Sequence, residues 1–356
     1  MVLSKIKKVV DALMNIFDRK NRLIYITEAN DWSIDWDGRQ ITAALNGLGL
    51  IKSRTAVSAA FLKNKIVHFG SINCFFNRRG EPLKIHSSDK KVLTWFHVSP
   101  ADSRIKIIPY LNEQVDLIHT SCQATRAELV KNGLNDRKII VIPLGVNLKI
   151  FKKAEPEKRE IFLKRLGLPK DKIIIGSFQK DGNGWGEGLK PKLIKGPDVF
   201  CDVLEKLAAK YPVHVLLTGP ARGYVKARLA KAGIGYTHKY LKNYQGIADY
   251  YNCLDLYLIC SRVEGGPKAL WESWATGVPV VSTKMGMPAD FIVNGQNGLL
   301  VEVGDVDGLA AAAEKILDDK VLREKLVSNA LADVKEHSWD KLAEDYYEKI
   351  YKKLLS

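Results

Sequence analysis

Short apolar runs alternate with longer amphipathic stretches along most of this chain. Runs rich in Val, Ile and Leu are typical of strands buried on both faces of a parallel sheet, and the stretches between them have helical spacing. Strands that alternate with helices predict an α/β fold with doubly wound parallel sheets. The predicted strands cover residues 23–27, 56–59, 65–69, 92–96, 116–120 and 138–142, and then residues 172–176, 213–217, 255–260 and 278–282.

The same scheme runs twice, which divides the chain into two halves. A length of 356 residues suits about two domains, and an apolar content of 46% is ample for two packed cores. The boundary is predicted near 145–155. We therefore expect two Rossmann-like domains at residues 23–150 and 151–335, preceded by a segment at 1–22 and followed by a final helix at 336–356.

The chain is strongly basic, with 55 Lys and Arg against 40 Asp and Glu and a formal net charge of +15. Such a charge suits nucleic acid, an anionic membrane surface or phosphorylated small molecules. The sequence has neither a zinc finger nor an aromatic RNA-binding signature, so no nucleic-acid partner is expected. The five cysteines form no Cys-x-x-Cys pair, which fits reduced thiols in the cytoplasm. Neither a membrane span nor a cleavable signal peptide is predicted.

The segment 1–22 is basic and amphipathic, because its apolar residues fall at helical spacing among lysines and arginines. One interpretation is a helix that lies on a membrane surface, which would attach a cytoplasmic protein peripherally to the cytoplasmic membrane face. The other is a short helix packed on the protein's own surface. The apolar set is Ile6, Val9, Val10, Leu13 and Phe17, and the basic set is Lys5, Lys7, Lys8, Arg19 and Lys20.

Two carboxylates flank a glycine-rich turn in the second half. Glu264 follows the predicted strand 255–260, and Glu272 lies about one and a half turns into a helix that Pro267 is suited to open. Backbone N–H groups and the dipole at a helix start attract phosphate, and carboxylates accept hydrogen bonds from sugar hydroxyls. The arrangement predicts a nucleotide-sugar site. The alternative is an ordinary strand–loop–helix junction, in which Glu264 is an N-terminal helix charge and Glu272 is a solvated helix residue.

This segment resembles the donor-binding half of the retaining family 4 glycosyltransferases, which have the GT-B fold. The family pattern is a Glu, a glycine-rich turn, seven intervening residues, a second Glu and then Ala-x-Gly-x-Pro-Val. Glu264, Glu272 and residues 275–280 match it. Residues 294–301 match the family's next turn and strand, and residues 141–147, followed by Phe151, match its domain junction.

The resemblance covers most of residues 23–355. It implies a GT-B fold of two Rossmann-like, doubly wound domains that face each other across a cleft. The acceptor would bind mainly to residues 23–150 and the nucleotide-sugar donor mainly to residues 151–335. The final helix at 336–356 would cross back to the N-terminal domain.

Two lysines are candidates for binding the donor's diphosphate. Lys180 follows the predicted strand 172–176, and Lys195 precedes a glycine at a helix start, where family members usually carry Lys-Gly. Cations at these places stabilise the charge that grows on a nucleoside diphosphate leaving group. Solvated surface lysines are the alternative in so basic a chain. The intervening residues 181–188 contain alternating glycines, but we favour a flexible insertion over a phosphate loop because Pro191 follows instead of a helix start.

His97 follows the predicted strand 92–96, at the end of the sheet where ligands of open α/β folds bind. It aligns with a histidine that relatives place beside the transferred sugar, although a lone histidine is commonly structural. Gly38, in a predicted loop at 28–38, stands where relatives carry a glycine pair. Asp35 and Asp37 spell the Asp-x-Asp of metal-dependent GT-A enzymes, but we assign them no metal because the fold differs. No cluster has metal-ligand spacing, so neither a metal nor a cofactor is expected.

The resemblance implies a metal-independent retaining glycosyltransferase of the hexosyltransferase type. It would move a sugar from a nucleoside diphosphate to a hydroxyl of a glycan, a lipid-linked or another acceptor. Glu272 would bind ribose, Glu264 would bind the donor sugar, and the backbone near residues 238–241 would hold the base. A GT-B sugar-nucleotide epimerase and a catalytically silent subunit of a glycosyltransferase complex are the alternatives. The catalytic candidates are His97, Lys195 and Glu264, and the donor-binding candidates are Gly38, Lys180, Lys195, Tyr240, Leu241, Glu264, Gly265, Gly266, Pro267, Lys268 and Glu272.

Overall fold

Each half of the chain forms one six-stranded sheet in which neighbouring strands are parallel. The structure is a computed structural model that describes residues 2–28, 33–77, 79–99, 102–184, 186–241 and 243–355. It divides into one unit of Met1–Gly145 with His337–Ser356 and a second unit of Val146–Glu336. The predicted α/β class with doubly wound parallel sheets is confirmed. The domain boundaries predicted from the sequence, at 150/151 and 335/336, stay predictions.

The first sheet has the order β2-β1-β3-β4-β5-β6. Its central strands are buried on both faces because helices cover them, which is why they read as unbroken apolar runs. The strands are β1 Leu23–Ile26, β2 Ser53–Ala56, β3 Ile66–Phe69, β4 Lys90–Thr94, β5 Leu117–Thr120 and β6 Ile139–Val141. The helices are α1 Val2–Phe17, α2 Ser33–Gly47, α3 Ile108–Gln114 and α4 Gln123–Lys131, with 3₁₀ turns at Ile72–Phe75, Ser103–Ile107 and Asp136–Lys138.

Two predictions about the elements of the first unit are wrong. The strand predicted at 56–59 lies three residues earlier, because the Val57 N–H donates to the Asp11 carboxylate (2.6 Å) instead of continuing the sheet. The loop predicted at 28–38 is helical from Ser33 onward, and residues 29–32 lie outside the described part of the chain. Gly38 therefore lies in α2. A Cβ at Gly38 would lie 2.6 Å from Cγ2 of Thr27, the residue that follows β1, so glycine lets the helix approach this strand closely.

The second sheet has the order β12-β11-β10-β7-β8-β9. Its edge strand β9 is absent from the sequence prediction because Gly235–Lys239 is polar and largely exposed, with no apolar run to reveal it. The strands are β7 Ile173–Phe178, β8 Val213–Thr218, β9 Gly235–Lys239, β10 Leu256–Ile259, β11 Val280–Thr283 and β12 Leu299–Val301. The helices are α5 Pro156–Leu166, α6 Pro197–Ala208, α7 Gly223–Lys231, α8 Ile247–Tyr251, α9 Ala269–Ala275, α10 Gly286–Phe291, α11 Val306–Asp318 and α12 Lys320–Asp333, with 3₁₀ turns at Leu193–Lys195 and Val334–His337.

The C-terminal segment belongs to the first unit. It contains α13 Trp339–Tyr346, a π-helical turn at Tyr347–Tyr351 and a 3₁₀ turn at Lys352–Leu354, and α13 packs on α2. A Cβ at Gly145 would lie 2.5 Å from the Trp339 ring, so the indole rests directly on the backbone that follows β6. None of the helices in the described residues is long and apolar enough to span a membrane.

A buried hydrogen-bond chain joins this C-terminal segment to three central strands. His68 Nδ1 lies 2.7 Å from the Tyr351 hydroxyl, and His68 Nε2 lies 2.8 Å from Thr94 Oγ1. Thr94 Oγ1 lies 2.9 Å from His119 Nδ1, and His119 Nε2 lies 2.9 Å from the carbonyl of Ile142. A carbonyl only accepts, so His119 donates from Nε2, and both rings take the neutral form with hydrogen on Nε2.

Both histidines are held neutral by their surroundings. Burial lowers the pKa of His119 to about 4. Burial, together with the neighbouring His119, lowers the pKa of His68 well below its ordinary value. A charge on either ring would lie away from water, and this cost favours the neutral form.

We predict that the folded protein loses stability as the pH falls from about 6.5 towards 4. The unfolded chain binds a proton at His119 near pH 6.5, whereas the folded chain does not until about pH 4. The loss from His119 alone should reach about 2 kcal/mol at pH 5. Urea unfolding at pH 7.5 and pH 5 measures it.

The variant His119→Gln should flatten this pH dependence, because it removes one of the groups that titrate. The matched control is His86→Gln, since His86 is exposed in the same unit. A wild-type pH dependence in His119→Gln would contradict the assignment.

Candidate functional site

A largely buried ion pair lies at the carboxyl end of the second sheet, where open α/β sheets bind ligands. Lys195 comes from the turn before α6, and Glu264 comes from the loop after β10. The Lys195 ammonium contacts Glu264 Oε1, and the two side chains are only 17% and 11% exposed. Ser261 Oγ lies 3.5 Å from the same carboxylate oxygen. The structure thus brings together two of the three catalytic candidates.

The turn that carries Lys195 depends on Gly196. This glycine has φ 62° and caps α6 in the left-handed region. A Cβ at Gly196 would lie 1.9 Å from the carbonyl oxygen of Cys260, so the turn rests directly on the end of the β10 segment. Only glycine meets both conditions, since it has neither the Cβ nor the conformational penalty.

Arg262 fastens the loop of Glu264 to the turn of Lys195. Its guanidinium donates to both carboxylate oxygens of Asp198, at 2.8 and 2.6 Å, and to the carbonyl of Leu193 at 2.7 Å. Its backbone N–H donates to the carbonyl of Ile194 at 2.9 Å. These bonds link the loop of Glu264 to the turn of Lys195, so the backbones that carry the two side chains are held together.

The glycine-rich turn 264–267 packs against the start of α10. Gly286 has φ 51°, and a Cβ there would lie 2.3 Å from the carbonyl oxygen of Glu264. The Met287 N–H donates to the carbonyl of Gly265 at 2.9 Å. Gly265 and Pro267 are buried, and Gly266 is half-buried. The sequence analysis missed Gly286, which lies far along the chain from the turn it contacts.

Glu272 is buried at 3% exposure and is held by two tyrosines. The Tyr251 hydroxyl donates to Glu272 Oε2 at 2.9 Å, and the Tyr244 hydroxyl donates to Oε1. Burial, and after it the Glu272 charge, raises the pKa of Tyr251 well above its ordinary value, so this hydroxyl remains a donor. The Lys268 ammonium lies 4.5 Å from the centre of the Tyr244 ring. The alternative of a solvated glutamate is therefore wrong.

The predicted position of Glu272 within its helix needs correction. α9 begins at Ala269, with Lys268 as its N-cap residue, so Glu272 lies in the first helical turn. Pro267 precedes the cap instead of opening the helix. Within the glycine-rich turn, the Gly265 carbonyl accepts from the Met287 N–H of α10, whereas the Pro267 carbonyl accepts from the Leu270 N–H of α9.

Lys180 lies just beyond β7 and is half-buried. The preceding residue links this segment to the ion pair, because Gln179 Nε2 donates to the carbonyl of Lys195 at 3.2 Å. Both predicted lysines therefore come from segments joined at the carboxyl end of the second sheet.

Arg222 is a residue that the sequence analysis missed. Its fully buried guanidinium donates to the carbonyls of Ser177, Gln179 and Thr218 at 2.7, 2.8 and 3.0 Å, and it lies 3.0 Å from Asp181 Oδ2. Burial raises the pKa of Asp181, and the Arg222 charge opposes that rise. Arg222 thus joins the ends of β7 and β8 beneath the segment that carries Lys180. A lone Arg in a basic chain gave no signal of this.

The glycine-rich loop 181–188 is attached at both ends, which corrects the expectation of a flexible insertion. A Cβ at either Gly182 or Gly188 would lie 2.3 Å from the carbonyl oxygen of Ala221. The Gly223 N–H also donates to the carbonyl of Glu187 at 2.6 Å. Among the described residues of its tip, 183, 184, 186 and 187 are exposed, and Trp185 lies outside the described part of the chain.

The other candidates lie apart from the ion pair in the sequence. Tyr240 and Leu241 follow β9, Tyr240 being exposed and Leu241 half-buried. His97 and Gly38 belong to the first unit. His97 lies three residues beyond β4, and its carbonyl accepts from Trp95 Nε1 at 3.1 Å. Their contacts with a donor stay predictions.

Asp35 and Asp37, the residues of the Asp-x-Asp sequence, are buried within α2. Asp35 accepts hydrogen bonds from Thr27 and Arg39. Across the described ranges, no three His, Cys, Asp or Glu side chains are grouped in a way that could hold a metal ion.

Residues 189–333 match the family model described as glycosyl transferases group 1. The chain is 30% identical over 202 residues to the lipopolysaccharide core biosynthesis mannosyltransferase LpsB of Rhizobium meliloti. The aligned region covers 54% of each protein. It is 29% identical over 244 residues to a GDP-mannose-dependent alpha-mannosyltransferase of Corynebacterium glutamicum, covering 65% of this chain and 52% of that one. The chain thus spans about half the length of these relatives.

The crystal structure of Anabaena HepE in complex with UDP-glucose is similar in fold, with a TM-score of 0.74 over 93% of this chain and 99% of that one. At 16% identity this likeness shows the fold alone. The GT-B fold expected from the resemblance is confirmed, and the similarity to the group 1 family model covers residues 189–333.

We predict that Gly196→Ala destabilises the second unit far more than Gly167→Ala. Both glycines are left-handed, but a Cβ at Gly167 meets open space whereas a Cβ at Gly196 meets the Cys260 carbonyl. Gly167→Ala should cost about 1–2 kcal/mol of unfolding free energy from conformation alone. Gly196→Ala should cost about 1–3 kcal/mol more from the clash.

Denaturant unfolding of the two variants measures the difference. Equal destabilisation would show that the turn of Lys195 does not rest on the Cys260 carbonyl.

Proposed function

We propose that this chain, whose residues 189–333 match the group 1 glycosyl transferases, is a retaining, metal-independent glycosyltransferase. It would move a hexose from a nucleoside diphosphate to an acceptor hydroxyl. The observation that carries the proposal is the placement of two carboxylates around one glycine-rich turn. Glu264 is paired with Lys195, and Glu272 is held by two tyrosines.

The Lys195–Glu264 pair is suited to exchange partners when a donor binds. A diphosphate presents a stronger and more concentrated negative charge than a carboxylate, so the ammonium of Lys195 would turn to it. Glu264 would then accept hydrogen bonds from hydroxyls of the donor sugar. Lys180 and the backbone N–H groups of Gly265 and Gly266 would add further donors to the phosphate oxygens, and Lys268 would add a third positive charge.

Glu272 is oriented for a ribose. The two tyrosines each donate to one of its carboxylate oxygens, and a carboxylate can accept hydrogen bonds from a pair of vicinal hydroxyls. Because its two oxygens are already oriented by Tyr244 and Tyr251, the carboxylate loses little freedom when it binds the sugar. We place the base near Tyr240 and Leu241.

The reaction would proceed on one face of the donor sugar. The acceptor oxygen forms a bond to the anomeric carbon, the bond from that carbon to the phosphate oxygen breaks, and the acceptor proton passes to the leaving phosphate. Lys195 and Lys180 would stabilise the charge that develops on this phosphate. The scheme needs no side-chain nucleophile, and His97 is proposed as a contact of the donor sugar.

The names of the relatives suggest which substrates to test first. Two are named mannosyltransferases, and one of these is named as GDP-mannose-dependent, so GDP-mannose is the first donor to examine. A third, from Campylobacter jejuni, is named for transfer to a diphospho-undecaprenol-linked sugar. We propose a glycan or lipid-linked acceptor bound mainly by residues 23–150, and a cytoplasmic protein.

We predict that Glu272→Ala weakens nucleotide binding by about 1.5–3 kcal/mol, because it removes hydrogen bonds to a charged acceptor. Calorimetric titration with GDP and UDP measures the affinity. Glu272→Gln, which keeps the shape of the side chain, separates loss of binding from loss of folding. Glu302→Ala is the matched control, since Glu302 is 78% exposed in the same unit.

Unchanged affinity in Glu272→Ala would remove this residue from the site. Nucleotide binding without sugar transfer would favour a catalytically silent subunit. Turnover of the donor in the absence of any acceptor would favour an epimerase.

We predict that Lys195→Met lowers kcat about 100-fold or more, with a smaller effect on donor affinity, because its charge acts mainly on the leaving group. Lys180→Met should act in the same direction. Steady-state kinetics with the preferred donor measures both parameters. Lys210→Met is the control, because this lysine pairs with Glu314 on the surface of the same unit. Wild-type kinetics in both Lys195→Met and Lys180→Met would contradict the proposed diphosphate site.

A further inference from the structure

Helix α1 packs on the first unit through its polar side. The Asp11 carboxylate accepts from the Val57 N–H at 2.6 Å, and both Asp11 and Asn15 are buried. Asn15 Nδ2 donates to the carbonyls of Ser58 and Ala60 at 3.0 and 2.8 Å. Just after the helix, Asp18 pairs with Arg54. These bonds attach the C-terminal half of the helix and the residue after it to β2 and the loop that follows β2.

The opposite side of α1 is apolar and exposed. With about 100° of rotation per residue, Val9, Leu13 and Phe17 point away from the side that carries Asp11 and Asn15. This inverts the usual arrangement, in which the apolar stripe of a helix faces the core. The exposed set is between 48% and 80% accessible and comprises Ile6, Val9, Val10, Leu13, Met14, Ile16 and Phe17.

The neighbouring loop adds to this surface. Phe61 is 65% exposed and has φ 63°, an uncommon conformation for a bulky residue. It directly follows Ala60, whose carbonyl is bonded by Asn15, and Lys63 beside it is also exposed. The loop is thus attached to α1 while it presents an aromatic side chain to the surroundings.

Basic residues border the apolar face. Lys7, Lys8, Arg19 and Lys20 are exposed in and just beyond the helix, whereas the side chain of Lys5 lies outside the described residues. A helix with an apolar face and flanking lysines is typical of segments that lie in the plane of a membrane interface. The acidic residues of the segment, Asp11 and Asp18, are both turned inward and engaged. The exposed charge near the apolar face is therefore positive.

We propose that α1 docks this protein on an anionic bilayer, with Val9, Leu13, Phe17 and their apolar neighbours inserted among the lipids. The polar bonds of Asp11 and Asn15 hold the helix to the first unit during docking. The charge of the chain favours a bilayer over a second copy, because two chains of +15 with lysines beside each apolar face repel each other. Membrane docking is independent of the proposed donor site, because it rests on α1 and the loop attached to it.

The test uses the full chain and lipid vesicles. We expect co-sedimentation with vesicles of phosphatidylcholine containing about 30 mol% phosphatidylglycerol, and much weaker binding to phosphatidylcholine alone. Leu13→Glu/Phe17→Glu should lower binding at least 10-fold, since charged side chains oppose insertion. Lys7→Gln/Lys8→Gln should lower it about fivefold per lysine, and only on anionic vesicles.

The matched control is Val321→Glu, since Val321 is an apolar residue 78% exposed on α12 of the other unit. It should bind vesicles like the wild type. All substituted positions are exposed, so thermal unfolding should be unchanged, and this is checked for each variant.

Three results would overturn the proposal: no binding to either vesicle, binding that Leu13→Glu/Phe17→Glu leaves unchanged, or a protein dimer that this variant dissociates in analytical ultracentrifugation. GDP and UDP titrations keep the two proposals distinguishable. Wild-type nucleotide affinity in Leu13→Glu/Phe17→Glu is expected. A wild-type chain that binds nucleotide but not vesicles would contradict the proposal for α1 only. A wild-type chain that binds vesicles but not nucleotide would contradict the proposed donor site only.

Discussion

The contact between Gly196 and the carbonyl of Cys260 is the constraint on which the candidate site depends. It places the turn of Lys195 directly on the end of β10, which is where the loop of Glu264 begins. Two segments that lie far apart in the chain are thereby held within the reach of one ion pair. A longer side chain at residue 196 would push the lysine away from its carboxylate, however favourable the charges are. Gly286 does the same for the other side of the glycine-rich turn.

Two sets of buried polar groups, one in each unit, are matched by specific donors or acceptors. Burying Glu272 without partners would cost several kcal/mol, and its two tyrosines offset that cost while they orient the carboxylate. In the first unit, Tyr351, His68, Thr94 and His119 form a continuous chain that joins the C-terminal segment to the sheet. Such networks specify one arrangement because a partly satisfied one is unfavourable.

Much of the fold could be predicted from the sequence, because parallel strands covered on both faces leave unbroken apolar runs. The edge strand β9 left no such run, and the start of α2 was hidden by a polar segment that reads as a loop. At the site, Glu264, Glu272 and Lys195 were found because they belong to local patterns. Tyr244, Tyr251 and Arg222 could not be found in this way, because their roles come from contacts made after folding. Similarly, periodicity revealed the two faces of α1 but not which face the protein covers.

We place a nucleoside diphosphate sugar in the second unit, between the turn of Lys195, the glycine-rich turn and Glu272. Hydrogen–deuterium exchange of the full chain, with and without saturating GDP-mannose or the nucleotide sugar found to bind, measures which segments the donor protects. Exchange should slow in residues 193–198, 244–251 and 262–272 and stay unchanged in α11 and α12. Protection confined to other segments, with exchange in these three unaltered by a donor that binds, would contradict this placement.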